Sequence, residues 1–195
     1  MPRFAPPDLA TLADEQRRVV DEVRAGRRGT VPANVVCWLP SPELARRAAA
    51  LGEFVRYETS LGPRLSELAI LVVARHWSCA YEWAVHAPEA SAAGVPAEVI
   101  AAIGAGGMPA FDDPRDRAVH GFAAALVATS RVSDTIYEDA VTVLAPQGVV
   151  ELAAIVGYYT MVAMTLNGFA VPPPAGAPKL SDGDGLQEVG ASKGD

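Results

Sequence analysis

Cysteine, positive charge and strand-forming patterns are all scarce in this sequence. The two cysteines, Cys37 and Cys79, lie far apart in different segments, which argues against a disulfide framework. The net charge of −7 comes without a basic stripe, so neither nucleic acid nor an anionic membrane surface is an expected partner. Strand signals are nearly absent, and no HExxH zinc motif occurs.

The chain also lacks the marks of an exported protein. Its N-terminal residues show neither a continuous apolar segment nor a small-residue cleavage site of the secretory type. Together with the sparse cysteines, this predicts a reduced, cytoplasmic protein.

One long apolar stretch could indicate a membrane-spanning helix. Residues 152–171 form 20 positions without a charge, which is long enough to cross a bilayer. Glu151 abuts the stretch, Lys and Arg are missing from its flanks, and Tyr158 and Tyr159 lie near its middle rather than at interfacial belts. We therefore predict a helix buried in the core or in a subunit interface, and no membrane partner.

The abundant residues indicate a helical protein. Half of the 195 residues are hydrophobic and only 20% are charged, with apolar residues in long periodic blocks. These patterns predict an all-α, single-domain bundle of about seven helices over residues 1–170. Residues 171–195 are rich in Pro and Gly and are expected to form a disordered tail. The most hydrophobic helices need further cover, which predicts self-association.

Capping signals and breakers divide the chain into helical segments. The starts at Ser41-Pro42 and Asp113-Pro114 each combine an N-cap residue with proline at the first helical position. Gly62 and Pro63 are expected to break the chain. Six of the predicted helices cover approximately 8–24, 41–57, 96–103, 113–130, 133–144 and 149–169. A further helical stretch begins after residue 63 and ends before residue 94. It continues through or bends near residues 76–79, at a point that the sequence does not locate.

Chemically active side chains interrupt the apolar sequence between Ser66 and Gly94. They are Glu67, Cys79, Glu82 and His86. At about 100° per residue, the last three fall within about 60° of one another on a helix and can share one pocket.

Two kinds of chemistry fit these residues. Glu82 and His86, four residues apart, could form a general acid/base pair in which the carboxylate orients the imidazole; the alternative is a helix-surface pair without a role. Cys79 could be a nucleophile, because a nearby imidazole favours the thiolate, or an ordinary small core residue. A metal held by Glu82, His86 and His76 is conceivable, but no metal is predicted because no recognised ligand motif is present.

Other residues near this motif are candidates for substrate binding. The aromatic side chains of Trp77, Tyr81 and Trp83 surround it and could line a pocket or serve as packing. Arg75 is the favoured partner for a substrate carboxylate, with Arg56 and Arg64 as further candidates. Salt bridges to Glu67 or Glu53 are the alternative explanation for these arginines.

The spacing of Glu67, Cys79, Glu82 and His86 resembles the carboxymuconolactone decarboxylase family, which includes alkyl hydroperoxidase D. The resemblance extends from about residue 44 to 103, with weaker similarity towards residue 169. The hydroperoxidase branch has a second cysteine at the position that Glu82 occupies, and Glu82 cannot resolve an oxidised thiol as a disulfide. The Glu-x-x-x-His arrangement, followed by small residues and Gly94, is more similar to the decarboxylase branch.

This resemblance implies an all-helical fold without a cofactor that assembles as a homotrimer or homohexamer. It implies that His86 is the proton shuttle, Glu82 its partner or a second acid, and Glu67 a buried carboxylate completing the relay, while Cys79 and Tyr81 line the pocket. The expected activity is acid/base chemistry, most simply decarboxylation, on a small carboxylated or enolisable molecule. A single-cysteine peroxidase, a non-catalytic oligomeric binding protein and a metal-dependent oxygenase are the alternatives.

Overall fold

The computed structural model describes residue 5 and residues 7–180, and the part of the chain so described is all α-helical. The all-α prediction is thereby confirmed. Eight helices and no strand occur in these residues. They are α1 (Asp14–Ala25), α2 (Ala33–Trp38), α3 (Pro42–Tyr57), α4 (Gly62–His76), α5 (Ala80–Ala92), α6 (Ala97–Gly104), α7 (Pro114–Thr129) and α8 (Asp134–Gly168).

Several helix starts follow the capping chemistry of the sequence. The Asp113 side chain accepts a hydrogen bond from the Arg115 N–H at 2.8 Å, and the Ser133 hydroxyl accepts one from the Ile136 N–H at 3.3 Å. These side chains satisfy N–H groups that have no partner within the helix. Helix α3 begins at Pro42 as predicted, although its N-cap, Ser41, makes no side-chain capping bond.

Other boundaries differ from the prediction. Gly62 and Pro63 begin α4 instead of breaking the chain, because proline fits the first turn of a helix. Helix α2 was not predicted, since six residues are too few to show a periodic pattern. The two segments predicted over 133–169 are both present and meet within α8 at Ala145 (φ 61°, ψ 166°), whose backbone is not helical, immediately before Pro146.

Helix α4 is the centre of the bundle. All of its residues from Leu65 to Ala74 are buried, and it contacts α3, α5, α6, α7 and α8. A helix buried on every side must consist almost entirely of apolar residues. Glu67 is the ionisable member of this buried run, so its carboxylate needs partners from neighbouring helices.

Helix α8 contains the long uncharged stretch. It packs against α2, α3, α4 and α7, and Leu152, Ile155 and Leu166 are fully or almost fully buried. By length and composition alone it could also cross a membrane, and 44% of its most apolar window is buried within the chain. Val150 and Met164 on the same helix are 70% and 51% exposed.

The C-terminal segment after α8 begins as irregular chain. Residues 171–180 contain no helix or strand, and Val171 and Leu180 pack against the hydrophobic core. The prediction of a disordered tail over residues 181–195 lies outside the described residues.

Candidate active site

The turn between α4 and α5 sets the geometry of the site. Helix α4 ends at His76, Ser78 adopts a left-handed backbone conformation (φ 47°), and Cys79 is the N-cap of α5. The chain therefore reverses within three residues, which places the middle of α5 beside the middle of α4. The bend that the sequence could not locate lies here.

This reversal brings His86 against Glu67. The imidazole Nδ1 lies 2.7 Å from Glu67 Oε2, and each side chain is only 7% exposed. Because an ionised carboxylate can only accept, Nδ1 donates the proton in this bond and Nε2 keeps a free lone pair. The partner that orients His86 is therefore Glu67, and not Glu82 as the helical spacing suggested.

Arg56 completes a buried charge cluster behind His86. Its Nε lies 3.5 Å from Glu67 Oε1, and its Nη2 lies 3.7 Å from Glu89 Oε2. Burial opposes the charge of this guanidinium, but Tyr159 and Glu67 beside it raise the pKa of Arg56 above its ordinary value. The cation keeps a negative charge on Glu67 favourable in a buried position.

Glu82 stands apart from this cluster. It is 2% exposed, and neither of its carboxyl oxygens has a hydrogen-bond partner among the residues that the structure describes. Burial raises the pKa of Glu82 well above its ordinary value, because a buried carboxylate loses its hydration without gaining a cation. The side chain is thus held in its neutral form, which can donate a proton.

Two neighbouring tyrosines of α8 cover the other side of His86. The Tyr159 ring meets the imidazole edge-to-face at 5.1 Å, and Tyr158 meets Tyr159 in the same manner at 5.3 Å. Burial raises the pKa of Tyr159 well above its ordinary value, so it stays a phenol. In the sequence, these tyrosines stood out only by their place near the middle of the apolar stretch over 152–171.

A cavity of about 410 Å³ opens onto these groups. This volume is within the usual range for small-molecule sites. Its walls are formed by residues 28–34, which include the start of α2, by the C-terminal end of α3, and by parts of α5 and α8. The lining residues are Arg28, Thr30, Val31, Pro32, Ala33, Asn34, Arg56, Tyr57, Tyr81, Glu82, Val85, His86, Glu89, Tyr158, Tyr159, Val162 and Leu166.

The cavity gathers part of the predicted site. Glu82, His86 and Tyr81 line it, and Glu67 lies directly behind His86. Cys79 does not line it and is fully buried. Burial, the largest cause, raises the pKa of the Cys79 thiol to about 12.

The structure does not bring the other predicted substrate-binding residues to this cavity. Trp83 follows Glu82 by one residue, about 100° around the helix, and faces α6, where a Cβ atom on Gly104 would come within 2.8 Å of its ring. Trp77 lies in the turn and donates to the Thr160 hydroxyl at 3.2 Å. Arg75 contacts the loop after α6, where a Cβ atom on Gly106 would lie 3.3 Å from its Nη2.

Other candidates from the sequence have structural roles elsewhere. Arg64 binds the carboxylates of Asp113, at 2.6 Å, and Asp116. His76 is exposed and stacks edge-on against Trp77 at 4.9 Å. Among the residues that the structure describes, no group of three His, Cys, Asp or Glu side chains is arranged to hold a metal ion.

Part of the chain that forms this site is similar in sequence to a known protein family. A profile of the carboxymuconolactone decarboxylase family matches residues 42–125. Residues 42–125 are therefore similar in sequence to the carboxymuconolactone decarboxylase family. This segment contains Glu67, Glu82 and His86, and it leaves out the cavity walls formed by residues 28–34 and by α8. No curated protein matches the chain.

Several solved structures share the fold of this chain. An alkylhydroperoxidase AhpD core, an uncharacterised peroxidase-related protein from Ralstonia eutropha JMP134, has a TM-score of 0.74 at 21% identity, covering 89% of this chain and 93% of that one. A peroxidase-related protein from Silicibacter sp. TM1040 has a TM-score of 0.72 at 19% identity, with 89% and 92% covered.

A third structure with a similar fold is that of a named enzyme. The debrominase Bmp8 has a TM-score of 0.67 at 16% identity, with 84% of this chain and 88% of that one covered. A cysteine-to-alanine variant of Bmp8 has been solved in complex with 2,3,4-tribromopyrrole. At these identities the structures establish the alkyl hydroperoxidase D-like fold and do not assign the chain to the decarboxylase branch.

Proposed function

We propose that this chain is an acid/base enzyme that acts on a small carboxylated or enolisable molecule using its own side chains, without a cofactor. The observation that carries the proposal is the meeting of a Glu67–His86 pair and a neutral Glu82 at one cavity. The match of residues 42–125 to the carboxymuconolactone decarboxylase family supports a catalytic role for this segment.

His86 is the proposed base. With Nδ1 donating to Glu67, the free Nε2 can take a proton from a carbon next to a carbonyl group. The Glu67 carboxylate stabilises the imidazolium that forms, and the Arg56 guanidinium lies 3.5 Å from the other oxygen of that carboxylate. The imidazolium then returns the proton to another atom of the substrate, so His86 acts as a shuttle.

Glu82 is the proposed acid. Removal of a proton, or loss of CO2 from a carboxylated substrate, leaves an electron pair that is delocalised onto the neighbouring carbonyl oxygen. A neutral carboxyl group can donate a hydrogen bond to that oxygen as its charge develops. The reaction is complete when the carbonyl is restored and the carbon receives a proton, which comes from the His86 imidazolium after proton abstraction or from solvent after loss of CO2. Both protein groups then return to their starting states.

A substrate panel with matched variants tests this function. We expect turnover of a β-oxo acid or a carboxylated lactone, measured as CO2 release or solvent deuterium incorporation, to be lost in His86→Ala with the helical CD spectrum unchanged. His76→Ala is the control, because His76 is exposed outside the cavity. Full activity of His86→Ala would overturn the assignment.

A thiol peroxidase is the alternative that the names of the peroxidase-related neighbours suggest. The environment of Cys79 argues against it, because a peroxidatic cysteine needs an accessible thiolate, whereas this thiol is buried with its pKa raised to about 12. Peroxide consumption that disappears in Cys79→Ser would favour the thiol reaction over acid/base catalysis.

Self-association remains a proposal, as does a cytoplasmic location. Exposed apolar side chains on α3 and α8, including Leu51, Phe54 and Met164, are candidates for a subunit contact. Light scattering should give the mass of a trimer or hexamer. A non-catalytic binding protein would show the same assembly but no turnover of any member of the panel.

A further inference from the structure

Three arginine side chains surround the ring of Tyr57, which lines the cavity. The guanidinium carbons of Arg27, Arg56 and Arg28 lie 5.1, 5.2 and 6.0 Å from the ring centroid. This local positive charge contrasts with the net charge of −7 for the whole chain. Because like charges at this range repel one another, an anion placed among them would be stabilised.

The three cations differ in what they contact. Arg27 donates to the Tyr57 carbonyl at 3.1 Å, is exposed and does not line the cavity. Arg56 lines the cavity, but its charge already faces Glu67 and Glu89. A ligand anion would compete with those carboxylates for Arg56.

Arg28 also lines the cavity and makes no ion pair within the described residues. Its Nη2 donates to the Gly52 carbonyl at 2.8 Å, and its Nε has no hydrogen-bond partner. A Cβ atom on Gly52 would collide with the Tyr158 hydroxyl and approach Arg28 Nη2 to 3.0 Å, so the guanidinium is closely packed at this point. It is a positioned cation that pairs with no carboxylate among the described residues, so its charge is available to a carboxylate ligand.

The positions of the tyrosines relate Arg28 to the reacting groups. Tyr158 lies beside Arg28, and Tyr159, the next residue, meets His86 edge-on. A planar ligand between these points would contact aromatic surface along its length. Arg28 lies outside the matched family segment, so the family relation does not account for this residue.

We propose that Arg28 is the specificity-determining residue of this site and binds the carboxylate of a small planar substrate whose reacting end meets Glu82 and His86. The inference rests on the proposed function for its reacting groups. The binding step itself can be measured without turnover. Arg28 selects the ligand, while His86 and Glu82 move protons.

Calorimetric titration with benzoate and acetate, each against its neutral amide, tests the proposal. We expect the wild-type protein to bind benzoate at least tenfold more tightly than benzamide, and Arg28→Gln to lose that preference. Arg28→Lys keeps the charge but not the planar fork of donors and should show an intermediate preference. Arg27→Gln is the matched control, because it removes a neighbouring charge without removing a cavity contact, and should change affinity less than about threefold.

Thermal melting shows whether each variant remains folded at the titration temperature. Equal binding of acid and amide by wild-type protein, no detectable binding of either acid, or an unchanged preference in folded Arg28→Gln would each overturn the proposal. Benzoate selectivity that depends on Arg28, without turnover of any substrate, would leave the binding assignment intact and reject the proposed reaction.

Discussion

The neutral state of Glu82 should be visible in the pH dependence of folding. The unfolded chain releases the Glu82 proton near its ordinary pKa of 4.5, whereas burial makes the folded protein retain it to a much higher pH. Between these two pKa values the unfolded state binds fewer protons, so raising the pH favours unfolding. One proton contributes a slope of at most about 1.4 kcal/mol per pH unit.

The variant Glu82→Gln removes this titration while keeping a side chain of almost the same shape. Between pH 5 and pH 7, the free energy of unfolding of the wild-type protein should therefore fall relative to the variant by up to roughly 3 kcal/mol. An unsatisfied amide in the same place adds an offset that does not change with pH. His120 and Glu151 titrate in both proteins, so their contributions cancel in the difference.

Urea unfolding followed by far-UV CD at pH 5, 6, 7 and 8 measures the two slopes. Glu98→Gln is the control, because Glu98 is exposed in the first turn of α6, and it should follow the wild-type profile. Parallel profiles for wild type and Glu82→Gln would refute the reasoning, because they would mean that Glu82 ionises in the folded protein as it does in the unfolded chain.

Three further results follow from the site and its packing. Glu67→Gln should lower kcat by roughly a hundredfold or more with a smaller change in KM, because an amide does not stabilise the imidazolium as a carboxylate does. Gly52→Ala should lower the unfolding free energy by about 1–3 kcal/mol in thermal melts, and adding Tyr158→Phe, which removes the colliding hydroxyl, should restore part of it. Cys37 and Cys79, both buried with raised pKa values, should react with a thiol reagent far more slowly in native protein than in urea.

Each of these expectations has a result that contradicts it. An unchanged kcat in Glu67→Gln would remove the Glu67–His86 bond from the mechanism. Gly157→Ala is the packing control, since nothing lies within 4 Å of a Cβ atom there, and a Gly52→Ala variant as stable as Gly157→Ala would disprove the clash. Rapid reaction of a native thiol would show that one cysteine is accessible and would revive the peroxidase alternative.

Most of the fold could be predicted from the sequence, because helix periodicity and capping are local signals. Asp113 and Ser133 cap their helices through bonds to residues two or three positions ahead, which a linear pattern can indicate. The kink at Ala145 could be predicted only in part from the sequence. A proline predicts a break in the helix, but whether the helix ends or bends there depends on packing against other elements.

The sequence identified most of the residues of the candidate site, but it did not predict how they are arranged in space. Glu67, Glu82 and His86 stood out because each is ionisable within apolar sequence. Helical spacing then suggested Glu82 as the partner of His86, while the actual partner is 19 positions away on another helix. Only the direction of the chain after the turn at Ser78 decides between these carboxylates.

Arg28 illustrates a different limit. It follows Arg27 in an irregular segment, and no local pattern distinguishes the two residues. Its contacts come from Gly52 on α3 and Tyr158 on α8, which are distant in sequence. A residue whose surroundings are wholly tertiary cannot be recognised from a periodic pattern.

The three-residue turn at 77–79 also limits how the length of this protein can vary. Cys79 donates its backbone N–H to the Ala74 carbonyl at 2.8 Å, and the residues on both sides belong to packed helices. An inserted residue would rotate α5 by about 100° and turn His86 away from Glu67. Homologues that share this proton-transfer pair should therefore keep the α4–α5 connection at constant length, and carry their insertions and deletions in the loop over 105–113 between α6 and α7.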